Sequence, residues 1–266
     1  MKKGNLFKGL LILGIFVIMG FQQQQDDHRT RCILIGDSTV KNGKGKGDGG
    51  LWGWGSYLAN YFDTTKIAVE NHALGGTSSR TFQTNGLWAK ALERVRKGDY
   101  VLMQFGHNDS SPLDDTARAR GTIKGVGPES KDIYNPIKKI PETVHSYGWY
   151  LNKFVEDIKA KGAIPIICSP IPRNDWKEGK VNRANTGYGL WAKQVAENAG
   201  VYFIELNGMI ADDYDAAGET QVKNYFTEKD HTHTNEAGAK LNATIVIKGI
   251  ASLKGCDLKK GVLVSK

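Results

Sequence analysis

The chain has 266 residues, 40% of them hydrophobic and 24% charged, which is typical of a soluble globular protein with a sizeable core. Its formal net charge is +8. When three lysines near the N-terminus are set aside, 33 basic and 28 acidic residues remain, a net charge of +5. The basic residues do not form patches that alternate with aromatic residues, so the sequence predicts no nucleic-acid partner. Three cysteines do not make the disulfide framework of a secreted protein.

Residues 1–21 have the pattern of a secretory signal. Lys2, Lys3 and Lys8 precede the apolar run LLILGIFVIMGF, which is shorter than the about 20 residues that a membrane-spanning helix needs. No A-x-A cleavage site precedes the QQQQ that follows, so an uncleaved N-terminal anchor stays open as the alternative. We expect an exported protein, periplasmic or extracellular, with or without such an anchor.

Five short apolar runs beyond this segment have the length and residue types of buried strands. They are CILIG (32–36), KIAVEN (66–71), DYVLMQFG (99–106), AIPIICS (163–169) and VYFIEL (201–206). Helical patterns lie between or after them, at 53–62, 86–98, 147–162, 187–200 and 236–253. Strands that alternate with helices predict a parallel sheet covered on both faces, so we expect an α/β fold, a three-layer α/β/α sandwich around a five-stranded parallel sheet.

The main irregular stretch is 110–144, which is rich in Ser, Pro, Gly and Lys. A loop of that length inside a compact domain is usually functional or mobile. No internal repeat divides the chain, and we expect one domain over residues 29–266.

Polar residues follow the predicted strands, at the edge where open parallel sheets place their binding sites. Ser38 lies in GDSTV after the first strand, Gly76 in HALGGTSSR after the second, and Asn108 in GHNDSSP after the third. A serine hydroxyl becomes an effective nucleophile when a base lies within hydrogen-bond reach and a third group orients that base. Asp230 and His233 in DHTHTNEAGA can supply both groups. The backbone N–H groups of Ser38 and Gly76 and the Asn108 amide can stabilise an oxyanion.

Each of these residues also has an ordinary explanation, because Ser, Asp and Asn are typical of caps and turns and Gly of turns with positive φ. The HTH motif is a candidate pair of zinc ligands, but catalytic zinc needs about three protein ligands, and neither HExxH nor paired CxxC is present. The glycines of GKGDGG (45–50) match G-x-G-x-x-G, yet a dinucleotide-binding loop follows its strand directly and this one does not. We therefore predict no metal site, with zinc at HTH as the open alternative.

Four segments of the sequence, taken in order, resemble the four blocks of SGNH hydrolases of the GDSL class. They are GDST at Ser38, the glycine block at Gly76, GHND at Asn108 and Asp230-x-x-His233. Within that class, four longer segments resemble rhamnogalacturonan acetylesterases. They are NHALGGTSSRTF, GHNDSSP, GWYLNKFVEDIKAKGAIPIICSPIPRN and DHTHTNEAGA. The resemblance implies a flavodoxin-like fold, with Ser38 as nucleophile, His233 as base and Asp230 as its orienting partner. It implies an oxyanion hole of Ser38, Gly76 and Asn108, and removal of acetyl groups from galacturonate in pectin without a cofactor.

Five further residues are predicted to contact a polysaccharide, because flat aromatic rings stack on sugars and arginine pairs with carboxylates. They are Trp149, Tyr150, Arg173, Asn174 and Trp176. Core packing is the alternative for Trp149 and Tyr150, which open a predicted helix. We expect an acetylated acidic polysaccharide or oligosaccharide as the binding partner and no stable protein partner. Hydrolysis of acetylated xylan, of a lipid or of an aryl ester is the alternative, and a non-catalytic carbohydrate-binding protein is a third interpretation.

Overall fold

The structure, a computed structural model, describes residues 28–263, and the signal predicted at 1–21 lies outside them. The strands in this range are β1 Thr30–Gly36, β2 Ile67–Asn71, β3 Tyr100–Gln104, β4 Ser130–Asn135, β5 Ile140–His145, β6 Ile164–Cys168, β7 Trp176–Lys177, β8 Lys180–Val181, β9 Tyr202–Ile204, β10 Phe226–Thr227 and β11 Asp230–Thr234. Five of them form one parallel sheet in the order β2-β1-β3-β6-β9. All five predicted sheet strands are therefore confirmed, with ends that differ by a few residues.

Helices lie between or after the strands of this sheet. They are α1 Ser79–Thr84, α2 Leu87–Arg94, α3 Tyr147–Ala160, α4 Tyr188–Ala199, α5 Leu206–Ala217, α6 Glu219–Val222 and α7 Glu236–Ser252. Ser146 caps α3 by accepting a hydrogen bond from the Trp149 N–H, and Asn235 caps α7 through the Gly238 N–H. Within residues 28–263, the helices lack the combination of length and apolar character that crossing a bilayer requires.

Both faces of the sheet are buried, because successive residues of a strand point to opposite faces and each face is covered by helices. On one face, Leu34 and Leu102 pack with apolar side chains of α5 and α7. On the other face, Ile33 and Val101 pack with apolar side chains of α1, α2, α3 and α4. The structure therefore has the three layers that the sequence predicts.

The helix predicted at 53–62 is wrong, since two short 3₁₀ segments, Trp54–Ser56 and Leu58–Tyr61, stand in its place. The reason is a close approach to the turn after β1. A Cβ on Gly53 would lie 2.3 Å from the Val40 carbonyl carbon, and the Gly55 N–H donates to the Val40 carbonyl oxygen at 3.0 Å. This backbone contact, together with the low helix propensity of glycine, outweighs the helical pattern.

The stretch 110–144 is not irregular throughout, because β4 and β5 pair as an antiparallel hairpin. A buried ion pair anchors the hairpin to α1: the fully buried Arg80 guanidinium donates to both Glu142 carboxylate oxygens at 2.8 and 2.9 Å. Burial opposes ionisation of Glu142, but the hydrogen bonds led by Arg80 hold its pKa below the usual value. Of the β5 residues only Val144 is buried, so hydrophobic alternation is too weak to predict the strand.

Candidate active site

Ser38 lies on a tight turn directly after β1, at the carboxyl edge of the sheet. A hydrogen bond from the Val40 N–H to the Asp37 carbonyl oxygen, at 3.2 Å, closes the turn. Glycine is required at Gly36, because a Cβ there would lie 2.6 Å from the Gln104 carbonyl oxygen. Ser38 is 8% exposed and lines a pocket, so the turn fixes its hydroxyl at the inner surface of that pocket.

His233 brings an imidazole to this hydroxyl from near the other end of the chain. Its Nε2 lies 2.8 Å from Ser38 Oγ, and its Nδ1 lies 2.7 Å from Asp230 Oδ2. The other carboxylate oxygen of Asp230 accepts hydrogen bonds from the backbone N–H groups of Thr232 and His233 at 2.7 and 2.8 Å. Burial would raise the pKa of Asp230, but these hydrogen bonds hold it below its usual value, so the carboxylate stays ionised at neutral pH.

Strand β11, which carries both residues, is held against the Ser38 region from two sides. The Trp52 N–H donates to the Thr234 carbonyl oxygen at 2.8 Å, and Thr234 Oγ1 donates to the Trp52 carbonyl oxygen at 3.0 Å. On the other side, the Asn174 N–H donates to the His231 carbonyl oxygen at 2.7 Å. His231 is exposed, whereas both ring nitrogens of His233 are already engaged by Asp230 and Ser38, so the HTH motif does not present two free imidazoles to one metal ion.

The two other sites weighed from the sequence lack their structural requirements in the described range. Within residues 28–263, no three His, Cys, Asp or Glu side chains are grouped so that they could hold a metal ion. The glycine-rich segment 45–50 lies between β1 and β2, where the structure has 3₁₀ segments and no α-helix. A dinucleotide-binding loop needs a helix N-terminus at that point.

Gly76 and Asn108 follow β2 and β3, the two strands that flank β1 in the sheet. Gly76 has a φ of +80°, in the left-handed region that favours glycine. The Asn108 amide donates one N–H to the Thr77 carbonyl oxygen at 2.8 Å, and its second N–H remains for the pocket. The backbone N–H groups of Ser38 and Gly76 make no hydrogen bond to another residue in the described range. Ser38, Gly76 and Asn108 line one pocket, so these three N–H groups are candidate donors to an oxyanion formed beside Ser38 Oγ.

A buried carboxylate that sequence reasoning misses lies beside Asn108 in the chain. Asp109 is completely buried, and its Oδ1 accepts hydrogen bonds from the Ser79 N–H and hydroxyl at 3.1 and 2.5 Å. Burial raises the pKa of Asp109 to about 7 against the effect of these hydrogen bonds, and the nearby Asp37 carboxylate adds to the rise. Asp109 thereby joins the start of α1 to the Asn108 turn and links the two loops that carry the candidate oxyanion donors Gly76 and Asn108.

The pocket around Ser38 has a volume of about 390 Å³. Its lining residues are Ser38, Asn42, Gly43, Leu74, Gly75, Gly76, Asn108, Arg118, Arg120 and His233. Sequence reasoning does not find Arg118 and Arg120, because they lie in the stretch 110–144 and no motif spacing connects ARAR to Ser38. The lining has two arginines and no carboxylate, so the pocket presents positive charge to a ligand.

The predicted sugar contacts are dispersed over several surfaces. Arg173 lines a neighbouring hollow of about 280 Å³ that shares the sheet edge with the Ser38 pocket and includes His107 and Tyr188. The Asn174 side chain accepts a hydrogen bond from Trp176 Nε1 at 2.7 Å, and Trp176 packs against the core on the α5 and α7 face. Arg173 is thus the predicted contact that lies in a hollow beside the Ser38 pocket.

Trp149 and Tyr150, at the start of α3, lie away from Ser38. Trp149 stacks on His145 with ring centroids 3.9 Å apart and lines a separate hollow along α3. Tyr150 is 2% exposed, its hydroxyl accepts a hydrogen bond from the His145 N–H at 3.2 Å, and burial raises its pKa to about 12. A side chain so buried cannot contact a polysaccharide, so the prediction for Tyr150 is wrong and its alternative, core packing, is confirmed.

The site joins a hydroxyl, an imidazole and a carboxylate in one hydrogen-bonded chain beside three N–H donors, on an α/β scaffold. This is the arrangement that serine hydrolases use for acyl transfer. The chain matches the GDSL-like lipase/acylhydrolase family over residues 33–246, and it belongs to that family. The prediction of an ester hydrolase of the SGNH type is therefore confirmed.

Two relatives with similar sequences carry the name of one activity. A rhamnogalacturonan acetylesterase of Emericella nidulans is 31% identical over 218 residues, which cover 82% of this chain and 83% of that protein. A probable rhamnogalacturonan acetylesterase of Bacillus subtilis, YesY, is 29% identical, with 86% of this chain and 96% of that protein covered.

Solved structures share the fold at lower sequence identity. The B. subtilis protein YxiM has a TM-score of 0.66 at 24% identity, over 84% of this chain and 56% of that longer one. Axe2, an acetylxylan esterase of Geobacillus stearothermophilus, has a TM-score of 0.54 at 18% identity, over 83% of this chain and 93% of that one. The three-layer SGNH fold is thus confirmed by comparison as well as by topology.

Proposed function

We propose that the protein removes O-acetyl groups from rhamnogalacturonan in pectin through a Ser38, His233 and Asp230 mechanism. The 2.8 Å contact between His233 Nε2 and Ser38 Oγ carries the proposal, because it places a base within reach of the hydroxyl proton. The choice of substrate is supported by the similarity to the E. nidulans and B. subtilis acetylesterases.

In the proposed first step, Ser38 Oγ attacks the acetyl carbonyl carbon while His233 Nε2 takes the hydroxyl proton. The Asp230 carboxylate accepts a hydrogen bond from His233 Nδ1–H, which keeps the Nε2 lone pair directed at Ser38 and stabilises the imidazolium that forms. The tetrahedral intermediate then collapses, its C–O bond to the sugar breaks, and His233 protonates the departing sugar oxygen. Water, deprotonated by His233, attacks the acetyl-Ser38 ester in the second step, releases acetate and restores the hydroxyl.

Replacement of the amide donor tests the oxyanion assignment. Asn108→Ala is expected to lower kcat by about 10²- to 10³-fold, or about 3 to 4 kcal/mol of transition-state stabilisation, with little change in KM. The measurement is steady-state hydrolysis of an aryl acetate, with Asn152→Ala on α3 as the matched control. A raised KM at unchanged kcat would show instead that Asn108 binds the ground state.

The polarity of the pocket supports an acidic carbohydrate over a neutral one. Arg118 and Arg120 line the same pocket as Ser38, and no carboxylate accompanies them. A cleft with charge of one sign concentrates ligands of the opposite sign and speeds their association. Galacturonate in the pectin backbone carries such a charge, whereas xylose does not.

Acetate release from three substrates separates the proposed function from its alternatives. We expect kcat/KM to be about 10-fold or more higher on acetylated rhamnogalacturonan fragments than on acetylated xylan fragments. A tributyrin assay belongs beside them, because Tyr134, Ile137 and Ile140 on the hairpin are 61%, 49% and 47% exposed and give the lipid alternative one supporting observation. Preference for xylan or tributyrin would overturn the pectin proposal, and no hydrolysis of any ester would favour a carbohydrate-binding protein.

Export to the periplasm or the exterior is part of the proposal, since the polymer is found outside cells. It is supported by the basic and apolar pattern of residues 1–21. Cell fractionation with detection of the full-length chain checks it. A pool confined to the cytoplasm would remove this part of the proposal without affecting the chemistry.

A further inference from the structure

Two arginines reach the rim of the Ser38 pocket from the segment that precedes the β4 and β5 hairpin. Arg118 and Arg120 flank Ala119, which is 1% exposed and has a φ of 45°. Left-handed backbone is unfavourable for residues other than glycine, asparagine and aspartate, so the surrounding structure has to hold it in place. The conformation seats Ala119 in the core and leaves the arginines on both sides of it lining the pocket.

The two guanidinium groups meet at the Gly76 turn. A Cβ built on Gly76 would lie 3.5 Å from Arg118 Nη1 and 3.8 Å from Arg120 Nη1. Both cations therefore lie next to the residue whose N–H is the candidate oxyanion donor. Like charges this close repel each other, and an anion bound between them would relieve that repulsion.

The Arg120 guanidinium is held by hydrogen bonds to the protein. Its Nη1 donates to the Gly76 carbonyl oxygen at 2.9 Å and its Nε donates to Ser111 Oγ at 3.1 Å. Burial and the neighbouring charge of Arg118 lower the pKa of Arg120, while the Asp115, Asp37 and Asp109 carboxylates act in the opposite direction. Arg120 thus holds the Gly76 turn and adds positive charge to the pocket.

The Arg118 guanidinium, by comparison, makes no hydrogen bond within residues 28–263. It is exposed, and its backbone N–H donates to the Asp115 side chain, but its guanidinium has no hydrogen-bond or ion-pair partner among residues 28–263. Arg118 therefore presents a planar fork of donors toward the pocket, a geometry that matches a carboxylate through two parallel hydrogen bonds.

We propose that Arg118, supported by the charge of Arg120, forms a subsite for the carboxylate of a uronic acid at the rim of the catalytic pocket. The proposal rests on the proposed esterase function and names the group that selects its substrate. Because Arg118 lies beside Gly76, the carboxylate it binds and the acetyl ester at Ser38 belong to the same sugar residue or to its immediate neighbour in the polymer. The enzyme then discriminates between a free uronate and its methyl ester, in which the carboxyl group is neutral.

The test compares two substrates that differ at that carboxyl group alone: acetylated rhamnogalacturonan oligosaccharides with free carboxylates, and the same oligosaccharides as methyl esters. The measured quantity is the ratio of kcat/KM on the free acid to kcat/KM on the methyl ester. Arg118→Gln is expected to lower this ratio by about 10- to 100-fold, the value of a charge-assisted hydrogen-bonded pair. Arg118→Lys keeps the charge but loses the fork, so its ratio is expected to fall between those of Arg118→Gln and the wild type.

Lys161→Gln serves as the matched control, since it removes the same formal charge from an exposed residue between α3 and β6, at the opposite edge of the sheet. Its ratio is expected to equal that of the wild type. An equal fall in the control would show a general effect of net charge and would overturn the assignment of Arg118. An unchanged ratio in both Arg118 variants would do the same.

Failure of the subsite can be told apart from failure of the proposed function. If the wild-type protein hydrolyses aryl acetate but the Arg118 variants leave the ratio of kcat/KM values unchanged, the esterase proposal stands and the subsite proposal fails. A binding measurement with the Ser38→Ala protein and an unacetylated rhamnogalacturonan oligosaccharide gives a second readout that needs no turnover. There, Arg118→Gln in the same background is expected to raise Kd by about 10-fold or more, and an equal Kd would overturn the subsite.

Discussion

Ser38→Ala is expected to lower kcat on an aryl acetate by about 10⁵- to 10⁶-fold, the largest effect of any single substitution in this protein. The alanine removes the atom that would form the covalent acetyl intermediate, and no other hydroxyl is hydrogen-bonded to His233 within the described residues. Activity that remains would come from the oxyanion donors and substrate positioning alone. The measurement is the initial rate at saturating substrate with enough enzyme to detect slow turnover.

The fold should survive this change, because Ser38 is held by its turn and its side chain hydrogen-bonds to one residue within 28–263, His233. Ser130→Ala, at the exposed start of β4, removes a hydroxyl elsewhere and is expected to retain wild-type rates. Thermal unfolding of both variants should match that of the wild type. A Ser38→Ala protein that is folded and within tenfold of wild-type activity would remove Ser38 from the mechanism.

Asp230→Asn is expected to lower kcat by about 10⁴-fold, or about 5 kcal/mol, although the change replaces one oxygen atom with an NH₂ group. Asp230 accepts hydrogen bonds on both oxygens: Oδ1 from the Thr232 and His233 N–H groups, and Oδ2 from His233 Nδ1. An asparagine can satisfy one side only. If its oxygen stays with the backbone donors, its NH₂ group faces Nδ1 and forces the imidazole proton onto Nε2, where it blocks proton transfer from Ser38.

Asp257→Asn makes the same chemical change in a surface ion pair with Lys260, 3.0 Å apart. Exposed pairs of this kind contribute little to stability, so this control is expected to behave as wild type. The kinetic comparison uses kcat on an aryl acetate for both variants. An Asp230→Asn protein that keeps more than about a tenth of wild-type kcat would mean that the tautomer of His233 is set by some other contact.

The sheet could be predicted from the sequence because its strands are buried on both faces. Runs such as CILIG and AIPIICS are continuously apolar, a signal that does not depend on what surrounds them. The segment 53–62 has an equally good helical pattern, but the backbone of Gly53 packs against Val40, and no local pattern records that contact. The β4 and β5 hairpin was missed for a related reason, since its anchor is a long-range pair between Arg80 and Glu142.

The positions next to Ser38 were predictable because the chemistry constrains residue type and the sheet constrains place. A hydroxyl, an amide and a glycine each had to follow a strand of one sheet, and the structure places them around one pocket. Arg118 and Arg120 lie in a segment whose path depends on the left-handed Ala119, so their arrival at Gly76 could not be read from spacing. For Tyr150 the sequence predicted a sugar contact that the structure does not have. An aromatic residue at a helix start suits a sugar contact and a core position equally.

The hydrogen bond between Ser38 and His233 joins residues 195 positions apart in the chain. Closing so long a loop has an entropic cost that nearby contacts cannot offset until most of the intervening sheet is in place. The Ser38 turn can form with β1, whereas the base arrives only when β11 docks beside Trp52. Turnover therefore reports that folding is complete, and a nascent or partly folded chain is hydrolytically silent however much of its sheet has formed.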